Sequence, residues 1–474
     1  MAQVDETSFF ERTLSNMAGV WRDVAASAAR SVGLSPADRR AARSEKALKA
    51  LMTECLEARG GEVSARMRAA ELGKSYLELD PQGQRRFLEI LARDFSVDQT
   101  AVEDAILAYR GADATSARLA AEADLRAMLQ PPRNRLLTQF NALPEGVKFL
   151  VDMRADLLAY AQDDPYLQAL QADLRDLLVS WFDVGFLDLR RITWDSPASL
   201  LEKLIAYEAV HEIRSWEDLH NRLDSDRRLY ALFHPRMPHE PLAFVEVALV
   251  RGMAGNIQTL LDELAPPEEE TDQDTAIFYS ISNTQKGLQG VSFGEFLIKR
   301  VLGELNRERP QLKTFATLSP APGFCDWLAG ATEDELAPAF TEDERAGLRA
   351  LTDSGDLREG LTRLLARPGW QTDESATKVL KSPAMRLCAR YLMIKRDDGR
   401  PIDSVARFHL KNGARLERIN WMGDGSPNGL RRSLGLMVNY RYIREDVERN
   451  HEAYMAKGKV AISSDIKALA KAMR

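Results

Sequence analysis

The first 182 residues carry apolar side chains at helical spacing, separated by capping and helix-ending signals. One set follows the i, i+3, i+4, i+7, i+8 spacing of a single helix face: Leu48, Leu51, Met52, Cys55 and Leu56. The pair Gly60-Gly61 predicts the end of that helix. Segments that alternate with a period of two, as strands do, are nearly absent. This half is therefore predicted to be helical.

Caps indicate where further helices begin. Asp80 followed by Pro81 supplies an N-cap and a proline at the first helical position. Residues 96–99 have capping-box spacing for the next helix, and another amphipathic helix begins near Pro144. The apolar positions expected to be buried in the first and last of these helices are Phe87, Leu88, Leu91, Phe95, Phe149, Leu150, Met153, Leu157 and Leu158. By analogy with helical bundles, we expect residues 1–182 to be a scaffolding or oligomerisation domain.

Residues 183–474 show a different pattern. Three short runs rich in aromatic and β-branched residues predict strands: 228–233 (RLYALF), 242–250 (LAFVEVALV) and 276–281 (AIFYSI). A short helical or looping segment and an acidic loop separate the last two runs. A helical face follows the third run, made of Leu297, Ile298, Val301, Leu302 and Leu305.

The remaining pattern completes the predicted fold class. Residues 331–397 return to helical spacing, whereas 405–422 (VARFHLKNGARLERINWM) predict a β-hairpin with Asn412-Gly413 as its type I′ turn. The prediction is an α+β protein. It has an all-helical N-terminal domain, 1–182, and a mixed domain, 183–474, with a helical insertion.

Composition excludes several classes of protein. The chain has 474 residues, enough for two or three domains of about 150 residues. Lys and Arg number 64 and Asp and Glu 71, giving a net charge of −7, which argues against a nucleic-acid partner. The longest strongly apolar run, 242–250, contains Glu246 and is far shorter than the roughly 20 residues of a membrane span. We expect no membrane partner.

The N-terminus and the cysteines predict the compartment. Residues 1–10 (MAQVDETSFF) lack the basic and apolar regions of a secretory signal. The cysteines Cys55, Cys325 and Cys388 are odd in number and widely spaced, which indicates neither a disulfide framework nor a zinc site. We therefore expect a reducing cytoplasm.

A glycine-containing segment between the third strand and the following helix is the most informative local unit. Residues 282–290 (SNTQKGLQG) can bring backbone N–H groups close to a ligand, and the next helix adds its unpaired donors. Such a loop suits a pyrophosphate. Two glycines after a strand serve equally well as a plain turn, and the segment matches neither a P-loop nor a dinucleotide-binding motif.

Two further segments carry candidate chemistry. In 314–328 (TFATLSPAPGFCDWL) a short predicted strand meets Ser319, and the following turn would direct its hydroxyl into a cleft. The alternative is a serine that forms an ST-turn or caps the helix beginning at FCDWL. In the predicted hairpin, alternation places Phe408 and Leu410 on one face and His409 on the other, away from the strongly apolar face. A purely structural histidine is the alternative.

Four segments, taken together, resemble the malonyl-CoA decarboxylase family in order and spacing. They are 276–305 (AIFYSISNTQKGLQGVSFGEFLIKRVLGEL), 315–328 (FATLSPAPGFCDWL), 385–392 (MRLCARYL) and 405–442 (VARFHLKNGARLERINWMGDGSPNGLRRSLGLMVNYRY). The resemblance runs from about residue 181 to about 442 and continues more weakly over the helical half. Several long motifs in a fixed order are far more specific than one short motif.

The resemblance implies a helical domain used in assembly of a homotetramer, and a GNAT-like (acetyltransferase-type) catalytic domain. Its catalytic pair would be Ser319, in the S-P-x-P-G-F motif, and His409, in the F-H-L-x-N-G motif. Its CoA contacts would fall on Gln289, Gly290, Val291, Ser292, Phe293, Gly294 and Glu295. Some members carry an acidic residue where this chain has Ser292. In this chain, therefore, no carboxylate at that position can act as a catalytic acid or base.

The implied reaction converts malonyl-CoA to acetyl-CoA and CO₂ through a thioester enolate. Because the thioester accepts the electrons, no organic cofactor or metal is required. His409, with an ordinary pKa near 6.5, would supply the proton for the α-carbon. Ser319 would orient the malonyl carboxylate or relay a proton. Tyr442 is a weaker candidate, with a role as a core tyrosine as its alternative.

Two other functions are compatible with the same fold and loop. A CoA-dependent acyltransferase could use the same fold, and an inert acyl-CoA-binding regulator could use the same loop. The presence of both Ser319 and His409 argues against the regulator. His234 and His239 lie close in sequence, but with only Glu240 nearby they predict no zinc site.

Overall fold

The computed structural model describes residues 17, 19–21, 23, 45–57, 62–291 and 293–472. The chain divides into two compact units. The helical unit comprises the described residues up to Asp188, Phe233–Leu242 and Asn283–Phe293, and the sheet unit comprises Leu189–Leu232, Ala243–Ser282 and the described residues from Gly294 onwards. The α+β class is confirmed, whereas the domain division between 182 and 183 stays a prediction.

The helical unit contains helices α1 to α8, which span Glu45–Glu57, Glu62–Leu77, Pro81–Asp94, Gln99–Gly111, Thr115–Met128, Pro132–Phe140, Gly146–Tyr160 and Pro165–Trp181. The predicted Asp80 cap of α3 is confirmed, because its carboxylate accepts a hydrogen bond from Gly83 N at 2.7 Å. The capping box at 96–99 is wrong, because the Asp98 carboxylate caps α4 instead. The predicted helix end at 60–61 lies outside the described residues.

Aromatic side chains fill the core of the helical unit. The buried Trp21 ring meets Phe149 edge-on, with 4.8 Å between ring centroids, and stacks on Phe140. Its indole N–H donates to Pro144 O at 2.7 Å. Each large apolar side chain buried in this way contributes roughly 1.5–3 kcal/mol. The cluster thereby packs α7, which carries Phe149, against α6, which carries Phe140.

The sheet has eight strands, β1 to β8, which span Asp188–Ile192, Arg227–His234, Met237–Val250, Thr275–Asn283, Thr314–Thr317, Ser319–Pro320, Arg415–Asn420 and Met437–Arg441. The strand order is β1-β2-β3-β4-β5-β8-β6, and β7 also pairs with β8. The three runs predicted as strands are confirmed as β2, β3 and β4. The short strand predicted before Ser319 is confirmed as β5.

The pairing of β4 with β5 ends where the candidate chemistry begins. These strands run parallel, and their register stops at Phe278 opposite Thr317, although β4 continues to Asn283. The chain of β5 then continues into β6, where Ser319 pairs with Val438 of β8. The carboxyl ends of parallel strands are the edge at which ligand sites form in open sheets.

Helices α9 to α21 complete the sheet unit; they span Ala198–Tyr207, Trp216–Asn221, Ile257–Leu260, Gly294–Glu308, Phe324–Gly330, Glu333–Leu336, Glu342–Thr352, Leu357–Leu365, Glu374–Tyr391, Ser404–Lys411, Pro427–Ser433, Val447–Lys457 and Ser464–Lys471. The helical insertion predicted at 331–397 is confirmed as α14 to α17. Within the described part of the chain, no helix is long and apolar enough to cross a membrane.

Helix α18 replaces the first strand of the predicted hairpin, which is therefore wrong. Asp403 caps this helix by accepting from Ala406 N at 2.7 Å. The Asn412-Gly413 pair ends it, since Gly413 has a φ of 83° and left-handed glycines commonly follow helix ends. The alternation that placed His409 away from the apolar face fails as well, because His409 lies on the buried face of α18.

Candidate functional site

Ser319 and His409 are in contact within the sheet unit. Ser319 begins β6 and is 7% exposed, and His409 lies in the last turn of α18 and is 2% exposed. The Ser319 Oγ and His409 Nε2 atoms are 3.2 Å apart. The prediction that Ser319 lies at a strand end is confirmed. The alternative role as a helix cap is wrong, because Gly323 precedes α13 as its N-cap.

Three neighbouring side chains hold this pair. Ser319 Oγ lies 3.0 Å from Thr317 Oγ1, which also accepts from Tyr440 N at 3.1 Å. His409 Nδ1 lies 2.8 Å from Tyr442 Oη. The Tyr440 ring stacks on the imidazole, with 4.7 Å between centroids and 24° between planes. Both imidazole nitrogens are thus hydrogen bonded and the ring orientation is fixed.

Burial sets the charge of the His409 imidazole. Desolvation lowers its pKa from 6.5 to about 3, so the ring is neutral at neutral pH in the resting protein. The expectation of an ordinary pKa near 6.5 is wrong for this reason. Burial also raises the pKa of Tyr442 well above its usual value, so that hydroxyl keeps its proton. The site therefore holds a neutral imidazole between two hydroxyls.

The lowered pKa of His409 predicts a pH dependence of folding stability. In the unfolded chain the imidazole pKa is about 6.5, so between that value and about pH 3 unfolding takes up one more proton. The stability from this group is full above the unfolded pKa and is lost as pH falls toward the folded pKa. Urea titrations measure the free energy of unfolding of the native chain and of His409→Leu. We expect the difference, native minus variant, to decrease as the pH is lowered from 7 to 5. A constant difference would contradict a neutral buried ring.

Sequence reasoning missed Thr317 and Tyr440, and it did not predict that the Tyr442 hydroxyl contacts His409. The signal for all three is strand alternation, because residues two apart in an extended chain share a face. Thr317 therefore lies beside Ser319, and Tyr440 beside Tyr442. The alternation shows which residues share a face, but not that His409 packs against it.

The second predicted site lies on a loop of the helical unit. Lys286–Leu288 form a 3₁₀ turn, and Gln289 and Gly290 after it are exposed. Val291 and Phe293 are 9% and 4% exposed and anchor the loop in the interior. The loop therefore presents a short stretch of backbone at the surface, between buried side chains.

Gly290 has the conformation that the loop motif requires. Its φ is 82°, and an added Cβ would meet no atom of the described residues within 4 Å. The backbone conformation, rather than lack of space, is thus what favours glycine there. Of the other predicted contacts, Ser292 lies outside the described residues, and Gly294 and Glu295 begin α12 in the sheet unit.

His234, near the β2–β3 turn, is held by contacts to neighbouring residues. His234 Nε2 lies 3.0 Å from Trp181 O, and Nδ1 accepts from Arg236 N at 3.1 Å. Its ring packs on Phe182, with 4.6 Å between centroids. Both nitrogens are used within the helical unit. Across the described ranges, no group of three or more His, Cys, Asp or Glu side chains could hold a metal ion.

Comparison with known protein families and sequences gives a consistent result. The model of the malonyl-CoA decarboxylase C-terminal domain matches residues 185–474, and that of the N-terminal domain matches residues 95–182. "Malonyl-CoA decarboxylase, mitochondrial" of the goose Anser anser anser is 40% identical over 418 residues, which cover 85% of this chain and 83% of the relative. The Mus musculus protein of the same name is 41% identical over 394 residues, 80% of each chain.

Solved structures give the same picture. The crystal structure of malonyl-CoA decarboxylase from Rhodopseudomonas palustris has a TM-score of 0.80 and 42% identity, covering 90% of this chain and 99% of that one. The crystal structure of the protein of that name from Agrobacterium vitis has a TM-score of 0.79 and 41% identity, with coverage of 89% and 99%.

Proposed function

The chain belongs to the malonyl-CoA decarboxylase family, and from that premise we propose that it converts malonyl-CoA to acetyl-CoA and CO₂ with Ser319 and His409 as catalytic pair. The observation that supports this pair is the buried 3.2 Å contact between Ser319 Oγ and His409 Nε2. On the other side of the imidazole, Tyr442 Oη lies 2.8 Å from His409 Nδ1. A proton-carrying group is thereby held in a fixed orientation, as acid catalysis requires.

The first chemical step breaks the bond between the α-carbon and the carboxylate. The electron pair of this bond passes into the thioester carbonyl to form an enolate, and the carboxylate leaves as CO₂. Because the thioester itself accepts the pair, we propose that no organic cofactor or metal takes part. Tyr440 and Tyr442 are 0% and 3% exposed, and the dry surroundings strengthen hydrogen bonds to the developing oxyanion.

The second step places one proton on the α-carbon. The negative charge of the malonyl carboxylate, and then of the enolate, favours the protonated imidazole, so His409 takes up a proton from solvent as the substrate binds. The imidazolium gives this proton to the α-carbon, directly or through Ser319 Oγ, and returns to its neutral resting form. Each turnover consumes one proton and one malonyl-CoA and releases one CO₂ and one acetyl-CoA.

We assign the CoA diphosphate to the loop that contains Gln289 and Gly290, in the manner of acetyltransferase-type folds. Both residues are exposed, and the Gly290 N–H donates to no acceptor among the described residues. Unpaired backbone N–H groups in a turn are suitable donors for phosphate oxygens.

Incubation of the purified protein with malonyl-CoA tests the proposed function. We expect CO₂ and acetyl-CoA in equal amounts with no acyl acceptor present. A CoA-dependent acyltransferase would instead consume malonyl-CoA only when an acceptor is added, and would release free CoA. A binding regulator would retain malonyl-CoA without turnover. Either of these results would overturn the proposal.

We also propose that the helical unit assembles the chain into a homotetramer. On α4 and α5, Leu107 and Leu119 are 66% and 61% exposed, which leaves apolar surface that a partner chain could cover. We expect light scattering at micromolar concentration to give the mass of four chains. Reductant should not change this mass, because all three cysteines are free. The mass of a single chain would refute the proposal.

The cytoplasm is the compartment that we propose, because free cysteines are typical of a reducing environment. The goose and mouse relatives are named mitochondrial. Fluorescence microscopy of the tagged full chain tests the assignment, and co-localisation with a mitochondrial marker would overturn it.

A further inference from the structure

Arg154 lies behind the loop to which we assign the CoA diphosphate. It belongs to α7, is 1% exposed, and lies in the helical unit together with the loop. Its two terminal nitrogens donate to loop carbonyls: Nη1 to Gly287 O, and Nη2 to Gln289 O at 2.9 Å. One guanidinium group thus holds two peptide groups of the same turn.

Close packing between α7 and the turn fixes this arrangement. A Cβ on Gly287 would lie 1.7 Å from the Val151 carbonyl oxygen, so the turn backbone rests directly on the helix. Val151 and Arg154 are three residues apart and share a helix face. Helix α7 therefore determines where the turn lies.

The Arg154 contacts also orient the peptide group between Gln289 and Gly290. In a trans peptide the C=O and N–H groups point in opposite directions, and the described part of the chain contains no cis peptide bond. Because the Gln289 carbonyl points toward buried Arg154, the Gly290 N–H points toward the exposed side. This is the same N–H that has no acceptor in the described structure.

The charge of Arg154 has no carboxylate partner among the described residues, and its Nε there has no hydrogen-bond acceptor. Burial and the positive charge of Arg175 both lower its pKa. Arg133 offers a contrast, since this buried arginine of α6 pairs with Asp173 at 2.7 Å. A buried cation without a counter-ion is costly. An anion bound at the turn would offset part of that cost.

We propose that Arg154 is a positioning residue for CoA. It holds the Gly287 and Gln289 carbonyls inward, so that the Gly290 N–H donates to the diphosphate. The uncompensated positive charge of Arg154 attracts the same diphosphate. The helical unit then contributes to substrate binding as well as to assembly. This inference rests on the proposed function, because it presupposes that the loop binds CoA.

The test compares Arg154→Met with the matched control Arg133→Met, using malonyl-CoA and malonyl-pantetheine, which lacks the diphosphate. We expect Arg154→Met to lower kcat/KM for malonyl-CoA by about tenfold or more, mainly through KM, because charge-assisted hydrogen bonds are of that strength. Its kcat/KM for malonyl-pantetheine should equal that of the native chain. Arg133→Met should retain the native ratio between the two substrates.

Two results would overturn the inference. In the first, Arg154→Met lowers kcat/KM equally for both substrates, which indicates general damage. In the second, it leaves both unchanged. If Arg154→Met does not fold, Arg154→Lys replaces it in the test. We then expect a smaller decrease in kcat/KM, and for malonyl-CoA only. Failure of the native chain to decarboxylate malonyl-CoA or to bind CoA would contradict the proposed function instead, so the two failures are distinguishable.

Discussion

Replacing His409 with alanine is expected to lower kcat for malonyl-CoA by about a hundredfold or more, the usual contribution of a placed general acid. The variant loses the Nε2 contact to Ser319 and the Nδ1 contact to Tyr442. We expect CoA affinity, measured by calorimetry, to stay near the native value, because the loop that we assign to CoA contains no part of this pair. The loss should therefore appear in kcat rather than in binding.

His451→Ala is the matched control for this experiment, since His451 is a half-buried histidine whose Nδ1 contacts the Lys411 carbonyl. It should retain native turnover. Native kcat in a folded His409→Ala variant would show that the imidazole does not supply the proton.

Replacing Gly290 with valine is expected to weaken the binding of CoA and malonyl-CoA alike, by about tenfold or more. A β-branched residue is strained at the φ of 82° found there, and its side chain would crowd the backbone N–H that we assign to the diphosphate. The expected readout is a raised Kd for both ligands by calorimetry, with a similar rise in KM.

Gly369→Val is the matched control, because Gly369 has a φ of 76° and, of the residues that the structure describes, its added Cβ would meet only Thr372 Oγ1, at 3.6 Å. It lies in the helical insertion and imposes comparable backbone strain without changing the loop itself. We expect native Kd values for this variant. Unchanged affinity in Gly290→Val would place the phosphates elsewhere.

Strands β2 to β5 and several of the helices could be predicted because their signals are local. The runs that became β2, β3 and β4 are short and rich in aromatic and β-branched residues, and the cap of α3 is a two-residue signal. The hairpin prediction failed because Asn-Gly favours both a type I′ turn and a helix end. The Asp403 cap and the apolar spacing of α18 favour the helix, which ends at the Asn412-Gly413 pair.

The contacts within the candidate site could not be predicted from local sequence patterns. Ser319 and His409 could be named from motifs, but their 3.2 Å contact joins residues 90 positions apart. The pKa of His409 depends on how completely the fold excludes water from the ring, which no local pattern reveals. Arg154 was missed for a related reason, because a lone arginine in an amphipathic helix gives no sign that it contacts a distant loop.

The most direct test of the catalytic pair is a double-mutant cycle on kcat for malonyl-CoA. It compares the native chain, Ser319→Ala, His409→Ala and the variant that carries both substitutions. If the two side chains act as one proton-transferring unit, the double variant loses little more than His409→Ala alone, because groups that act together are strongly non-additive. Losses that multiply would contradict the account, since they would mean that Ser319 and His409 act independently.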